Sequence, residues 1–224
     1  MKISTIAALA GLAGVCSLAS AAFTVQATYI DTNPGVWGMV SLDSGVSFMG
    51  PVKAGQFNWQ RTGGTYTGLT GTFATFCIEV HQDIFPGGNY TYDVNTVANA
   101  PLPVNILYGT PMGAVKANNI AELYGRFFGG LSTDDQYAAF QLAIWDFVYD
   151  NGDGIGNGIF RGSGFGAAMG IANAWIAAVD GTGPHMSGLG ALSSDDWQDQ
   201  IFTPAPGSLA LIGLGGLVAT RRRR

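Results

Sequence analysis

Two side chains carry the reactive chemistry legible in this chain. Cys77 stands in Phe76-Cys77-Ile78-Glu79, and Gln141 stands in Phe140-Gln141-Leu142-Ala143-Ile144-Trp145. The sequence holds two cysteines, and Cys16 falls inside an expected export signal. Cleavage of that signal leaves Cys77 with no partner in its own chain, so the thiol needs an explanation. The preferred one is an internal thioester, formed when the Cys77 sulfur takes the side-chain carbonyl of Gln141 and ammonia leaves. A thioester holds an acyl group at higher transfer potential than an amide. An amine or hydroxyl that attacks it ends as an amide or ester and frees the thiol, which is nucleophilic acyl transfer run once. That chemistry makes a covalent surface-binding module and not a turnover enzyme.

The elements that must position the pair can be read from periodicity. β-rich runs at 23–30, 38–46, 55–60 and 72–80 are punctuated by Asn33-Pro34-Gly35, Gly50-Pro51 and Gly63-Gly64, with a further strand at 90–94. The period then changes to helical. Asn118 or Asn119 caps an expected helix over 120–128 that stops at Gly129-Gly130. Ser132 and Thr133, with Asp135 and Gln136 three residues on, offer a capping box for a helix over 134–149. A third helix is expected over 166–179. Strands first and helices later predict an α+β fold, an antiparallel β-rich part followed by a helical part in one domain.

Within the expected strand, Ala74, Phe76, Ile78 and Val80 share one apolar face, so Cys77 points the other way with Thr75 and Glu79. At 100° per residue, Tyr137, Ile144, Trp145 and Val148 all fall within about 60° of Gln141. The glutamine therefore sits in the middle of an apolar stripe. A buried amide without partners costs on the order of 1–3 kcal/mol. Hydrogen-bond partners or a bond to sulfur would each account for its place.

These two motifs resemble bacterial thioester domains of the surface-adhesin type. That family carries an aromatic-Cys-aliphatic-acid motif on a strand and a Gln-x-x-aliphatic motif, commonly followed by Trp, on a later helix. The resemblance implies Cys77 as thioester sulfur and Gln141 as acyl donor, with Phe76, Ile78, Glu79, Ile144 and Trp145 as supporting residues. It implies no catalytic turnover, no cofactor and no metal. The partner it implies is a nucleophile on another surface or matrix, a protein Lys amine or a hydroxyl.

Both ends read as addresses. Lys2, the apolar run 6–18 and Ala19-Ser20-Ala21 form an expected signal peptide, residues 1–21; Val15 disfavours a lipidated Cys16. At the other end, Pro204-Ala205-Pro206 precedes a short apolar segment over 208–220 and then Arg221, Arg222, Arg223 and Arg224. Thirteen apolar residues are short of the roughly 20 that a stable span needs, and terminal arginines stay cytoplasmic. The three-part order of 204–224 resembles a PEP-CTERM sorting tail, although the name-giving motif lacks its Glu. That resemblance implies an exosortase-type processing enzyme, transient membrane contact, and a bacterial envelope, surface or matrix location. Between the ends, residues 22–192 are expected to form the domain and 193–203 an acidic tether.

With 47% hydrophobic and 11% charged residues, the 224-residue chain can bury one substantial core. Outside the two ends, five basic residues stand against fifteen acids, a net charge of −10. Such a surface repels nucleic acid. Two other functions remain open: a noncovalent structural or matrix protein without a thioester, and a Cys–His hydrolase. The hydrolase needs His81, roughly 13 Å along the strand from Cys77, or His185 from a distant loop. Asp150-Asn151-Gly152-Asp153-Gly154 misses the EF-hand register and reads as a turn. Trp37, Trp59, Trp145 and Trp175 are expected in the core.

Overall fold

Alternation of apolar and polar residues sets the first strand: Val25, Ala27 and Tyr29 are buried, while Gln26 and Ile30 face water. The computed structural model describes residues 23–43, 47–100 and 112–203. The expected signal peptide and sorting tail, with Pro204, Pro206 and Arg221 to Arg224, lie outside the described residues. In chain order the elements are β1 (Thr24–Asp43), β2 (Ser47–Gly63), β3 (Thr72–Cys77), β4 (Asn89–Thr96), α1 (Gly113–Phe127), α2 (Asp134–Asp150), β5 (Phe160–Ser163), α3 (Ala167–Ala178), β6 (Gly190–Ser193) and β7 (Gln200–Phe202). No helix among the described residues is long and apolar enough to cross a membrane.

All strand pairings are antiparallel. β1 pairs with β2, β2 with β3, β3 with β7, β7 with β6, β6 with β4, and β4 returns to β1. The ring closes a six-stranded barrel, which leaves those strands without a free edge. β1 is long enough to serve twice. Its first residues pair with β4, and its far half, Met39 to Leu42, pairs with β5. The β1–β2 hairpin thus runs past the barrel and forms a wall for the helices.

The chain is one domain with strands and helices, as expected, but strands dominate. The expected order of a β part followed by a helical part gives way to a different arrangement, because β5, β6 and β7 follow helices. Residues 193–203 are not a free tether: Ser193 ends β6, and Gln200, Ile201 and Phe202 form β7 inside the barrel wall. Gln198, Asp199 and Gln200 are buried against Glu79 and Thr75, more than a hundred residues earlier, while Asp195 and Asp196 are exposed. Asn33-Pro34-Gly35 is likewise no turn, since β1 continues through it with shifts of register. α1 begins at Gly113, seven residues before the expected start, so Asn118 and Asn119 lie within it. The polar run that hid its first turns includes Lys116, which is buried and donates through Nζ to Val148 O.

α2 starts where the capping box placed it. Thr133 Oγ1 accepts from Gln136 N, and Gln136 Oε1 accepts in return from Ser132 N, 3.0 Å away. The helix ends at Asn151, whose φ of 60° is a left-handed cap. Every residue from Ala138 to Tyr149 is buried. The apolar stripe expected around Gln141 is therefore too narrow a description; α2 is enclosed on all sides by β1, β2, β3, α1 and α3. Close approach on the hairpin side requires glycine at Gly38, where a Cβ would lie 2.6 Å from the Phe165 ring.

Two aromatic clusters fill the interior. Trp59, fully buried, meets Tyr90 and Tyr92 edge-on and stacks on Phe73. Phe76 packs on Tyr124, Tyr137 and Phe140, joining β3 to α1 and α2. Trp59 and Trp145 are core residues as expected, Trp175 is half-buried against Phe127, and Trp37 is 65% exposed.

Candidate functional site

The last paired residue of β2 on this side is Phe57, opposite Thr75 of β3. Beyond it β2 departs, and the backbone of Cys77 on that edge has no strand to bond. Gln141 takes the place of that strand. Its Oε1 accepts from Cys77 N at 2.8 Å, and its Nε2 donates to Cys77 O at 2.8 Å. One carboxamide thus copies the two-bond exchange of a β pair, and both residues are fully buried. The other edge of β3 is held by β7, with Ile78 N donating to Asp199 O. The covering element that the orientation of Cys77 left open is α2.

The sulfur itself points to Glu79 O, 2.6 Å away. Burial pushes the Cys77 thiol well above its ordinary pKa. Trp145 pulls the other way, toward the thiolate, although its buried indole N–H makes no hydrogen bond among the described residues. At neutral pH the group is a thiol, shielded from water and slow to oxidise or alkylate.

Glu79, expected only as a supporting residue, heads a buried acid pair. Its Oε1 accepts from Asp199 N at 2.9 Å, and Asp199 Oδ1 accepts from Ser194 N at 2.7 Å. Burial pushes Glu79 up to about 8. Burial, and then the charge of Glu79, push Asp199 up to about 9. Burial thus favours the neutral form of both acids. Burial also lowers His81, whose Nε2 is 3.7 Å from Glu79 Oε2. Burial disfavours the charged form of both groups, so the contact is better described as polar than as an ion pair. His81 Nδ1 lies 3.5 Å from Tyr149 OH, and that hydroxyl accepts from Val80 N.

The remaining supporting residues divide by role. Phe76 anchors the aromatic cluster, while Ile78 and Ile144 are fully buried filler. Trp145 is buried, its ring centre 6.0 Å from that of Phe160. Neither histidine takes a base's position at Cys77: His81 turns to Glu79 and Tyr149, and His185 is exposed with Nδ1 on Gly183 O. The 150–154 turn closes onto α2 through carboxylates. Asp146 accepts from Gly154 N, and Asp150 accepts from Ile159 N and Phe160 N. Those two with Asp153 place oxygens within 4.8 Å of one another. The backbone donors account for the first two carboxylates.

Sequence reading missed Gln198, Asp199 and Gln200. Gln198 Nε2 donates to Glu79 O at 2.9 Å, so the carbonyl under the Cys77 sulfur has a second partner. Gln200 Oε1 accepts from Thr75 Oγ1, which in turn accepts from Trp59 Nε1. The available signal was polar residues directly before Ile201-Phe202.

Gln141→Leu is expected to leave both backbone groups of Cys77 without partners, which costs about 2–4 kcal/mol in addition to the loss of any Cys77–Gln141 cross-link. Denaturant titration beside the native protein checks this.

No family model matches this chain, and neither a curated protein nor a solved structure matches it.

Proposed function

We propose that this protein is an exported, surface- or matrix-attached module that captures a partner covalently through a Cys77–Gln141 thioester. The observation that carries the reading is the contact itself. Two motif residues 64 positions apart meet in a dry interior, and the Gln141 carboxamide lies on the backbone of the residue whose sulfur must attack it. Burial protects a thioester from hydrolysis. In forming it, the Cys77 sulfur bonds to the Gln141 carbonyl carbon, the C–N bond breaks, and the thiol proton leaves with ammonia. In capture, an incoming amine forms the new C–N bond, the C–S bond breaks, and an amine proton returns to sulfur. Export by the signal peptide and processing of the sorting tail belong to the same proposal.

A second reading has its own support. Both hydrogen-bonding ends of the Gln141 amide are satisfied as they stand, and the sulfur rests on Glu79 O. A noncovalent structural protein needs nothing more from these residues. A fluorescent primary amine separates the two. Label that survives denaturing electrophoresis in the native protein, and disappears in Cys77→Ala and in Gln141→Ala, supports the thioester. Equal labelling of all three, or none, supports the structural reading.

A further inference from the structure

A cavity of about 450 Å³ opens beside the buried pair. Its floor includes Val80, Trp145 and Gln198, all buried. Trp145 stands one helical turn beyond Gln141 on α2, and Gln198 holds the same Glu79 carbonyl that the sulfur contacts. Among the described cavities, the other two have no lining residue in common with Trp145 or Gln198.

The walls have a specific chemistry. Trp37 and Phe85 are 65% and 67% exposed, large aromatic surfaces that a folded chain ordinarily covers. Asp31 and Asp83 add two exposed carboxylates, and Lys53 offsets one of them. Asp31 is steadied by Asn58 Nδ2 at 2.7 Å. Aromatic faces and carboxylates around one cavity suit a cation on an apolar stem, because the stem packs on the rings and the charge meets the acids. The twenty side chains offer such a group with a nucleophilic nitrogen in lysine. A hydroxyl gains nothing from the two carboxylates.

We propose that this cavity is the acceptor entrance, and that Trp37, Phe85, Asp31 and Asp83 select a lysine side chain of a protein partner over a hydroxyl. The inference rests on the thioester reading and adds the route and the selecting residues. The lysine ammonium releases one proton to solvent at the entrance. Its amine then displaces Cys77 from the Gln141 carbonyl carbon as Trp145 turns aside, and the second proton goes to sulfur.

The test compares two probes on the purified protein by intact mass over time. Methylamine is small enough to reach the acyl carbon without the walls, whereas Nα-acetyllysine amide needs them. Trp37→Ala and the double variant Asp31→Asn/Asp83→Asn change exposed side chains, so their folding is checked by methylamine capture itself. The expected result is methylamine capture within about twofold of native and lysine-amide capture slowed about tenfold in both variants. The advantage of the lysine amide over its hydroxyl analogue should shrink by a similar factor in the double variant. Unchanged lysine-amide capture, with methylamine capture intact, overturns the cavity while leaving the thioester standing. Lack of methylamine capture by the native protein overturns both. A peptide map joining Lys53 to Gln141 also overturns the proposal, since the cavity's own lysine would then be the acceptor.

Discussion

Exposure to methylamine is expected to destabilise the native protein by about 4 kcal/mol, with no change in sequence. A thioester between Cys77 and Gln141 closes a loop of 64 residues. The chain-entropy relation for a cross-link of that length gives about 4 kcal/mol lost from the unfolded ensemble. Aminolysis opens the loop and returns that entropy. For a domain of this size the melting temperature should fall on the order of 10 °C. Cys77→Ala should melt near the amine-treated native protein and should not respond to methylamine, because its loop was never closed. A noncovalent Cys77 gives the opposite pattern: methylamine changes nothing, and the alanine variant loses only the packing of one sulfur. Thermal melts of four samples, two proteins with and without amine, decide between them.

Stability is also expected to fall as pH rises from about 5 to about 9. The cause is the acid pair beneath Cys77. Glu79 sits at about 8 in the fold against an ordinary 4.5, and Asp199 sits at about 9 against 3.8. The folded state therefore binds these protons more tightly than the unfolded state. Their contribution is fully present below the ordinary carboxylate range and is lost as pH climbs through the folded values. Asp146, raised by burial to about 7, has the same sign. At high pH two buried carboxylates repel each other beside the strand end that holds Cys77. Glu79→Gln/Asp199→Asn should flatten the profile, and an unchanged slope in the double variant would assign the loss to other groups. Melts at pH 5, 7 and 9 provide the comparison.

What the sequence revealed and what it hid follow from the range of the interactions. The 134–149 helix was legible because its signals are local: the Ser132-to-Gln136 capping box and the uninterrupted apolar content both lie within the element. Alternation marked β1 through Val25, Ala27 and Tyr29 for the same reason. The meeting of Cys77 and Gln141 was legible only as motif chemistry. Their actual bonds, carboxamide to backbone, depend on β2 leaving β3 after Phe57, which no local pattern announces. β6 and β7 were hidden more completely. They are four and three residues long, and the segment between them looks like solvated polar chain. Asp195 and Asp196 are indeed exposed, but Gln198, Asp199 and Gln200 are buried because Tyr92, Glu79 and Thr75 meet them from more than a hundred residues away. Trp37 misled in the opposite direction, since its size suggested core while the hairpin carries it past the barrel onto the cavity wall.

The central claim is a covalent bond between Cys77 and Gln141, and the intact mass of the native protein before and after methylamine tests it most directly. The expected native species is lighter than its sequence by one ammonia and gains one methylamine, while Cys77→Ala shows neither change. A native mass equal to the plain sequence, with no methylamine gained and Cys77 alkylated on unfolding, would contradict it.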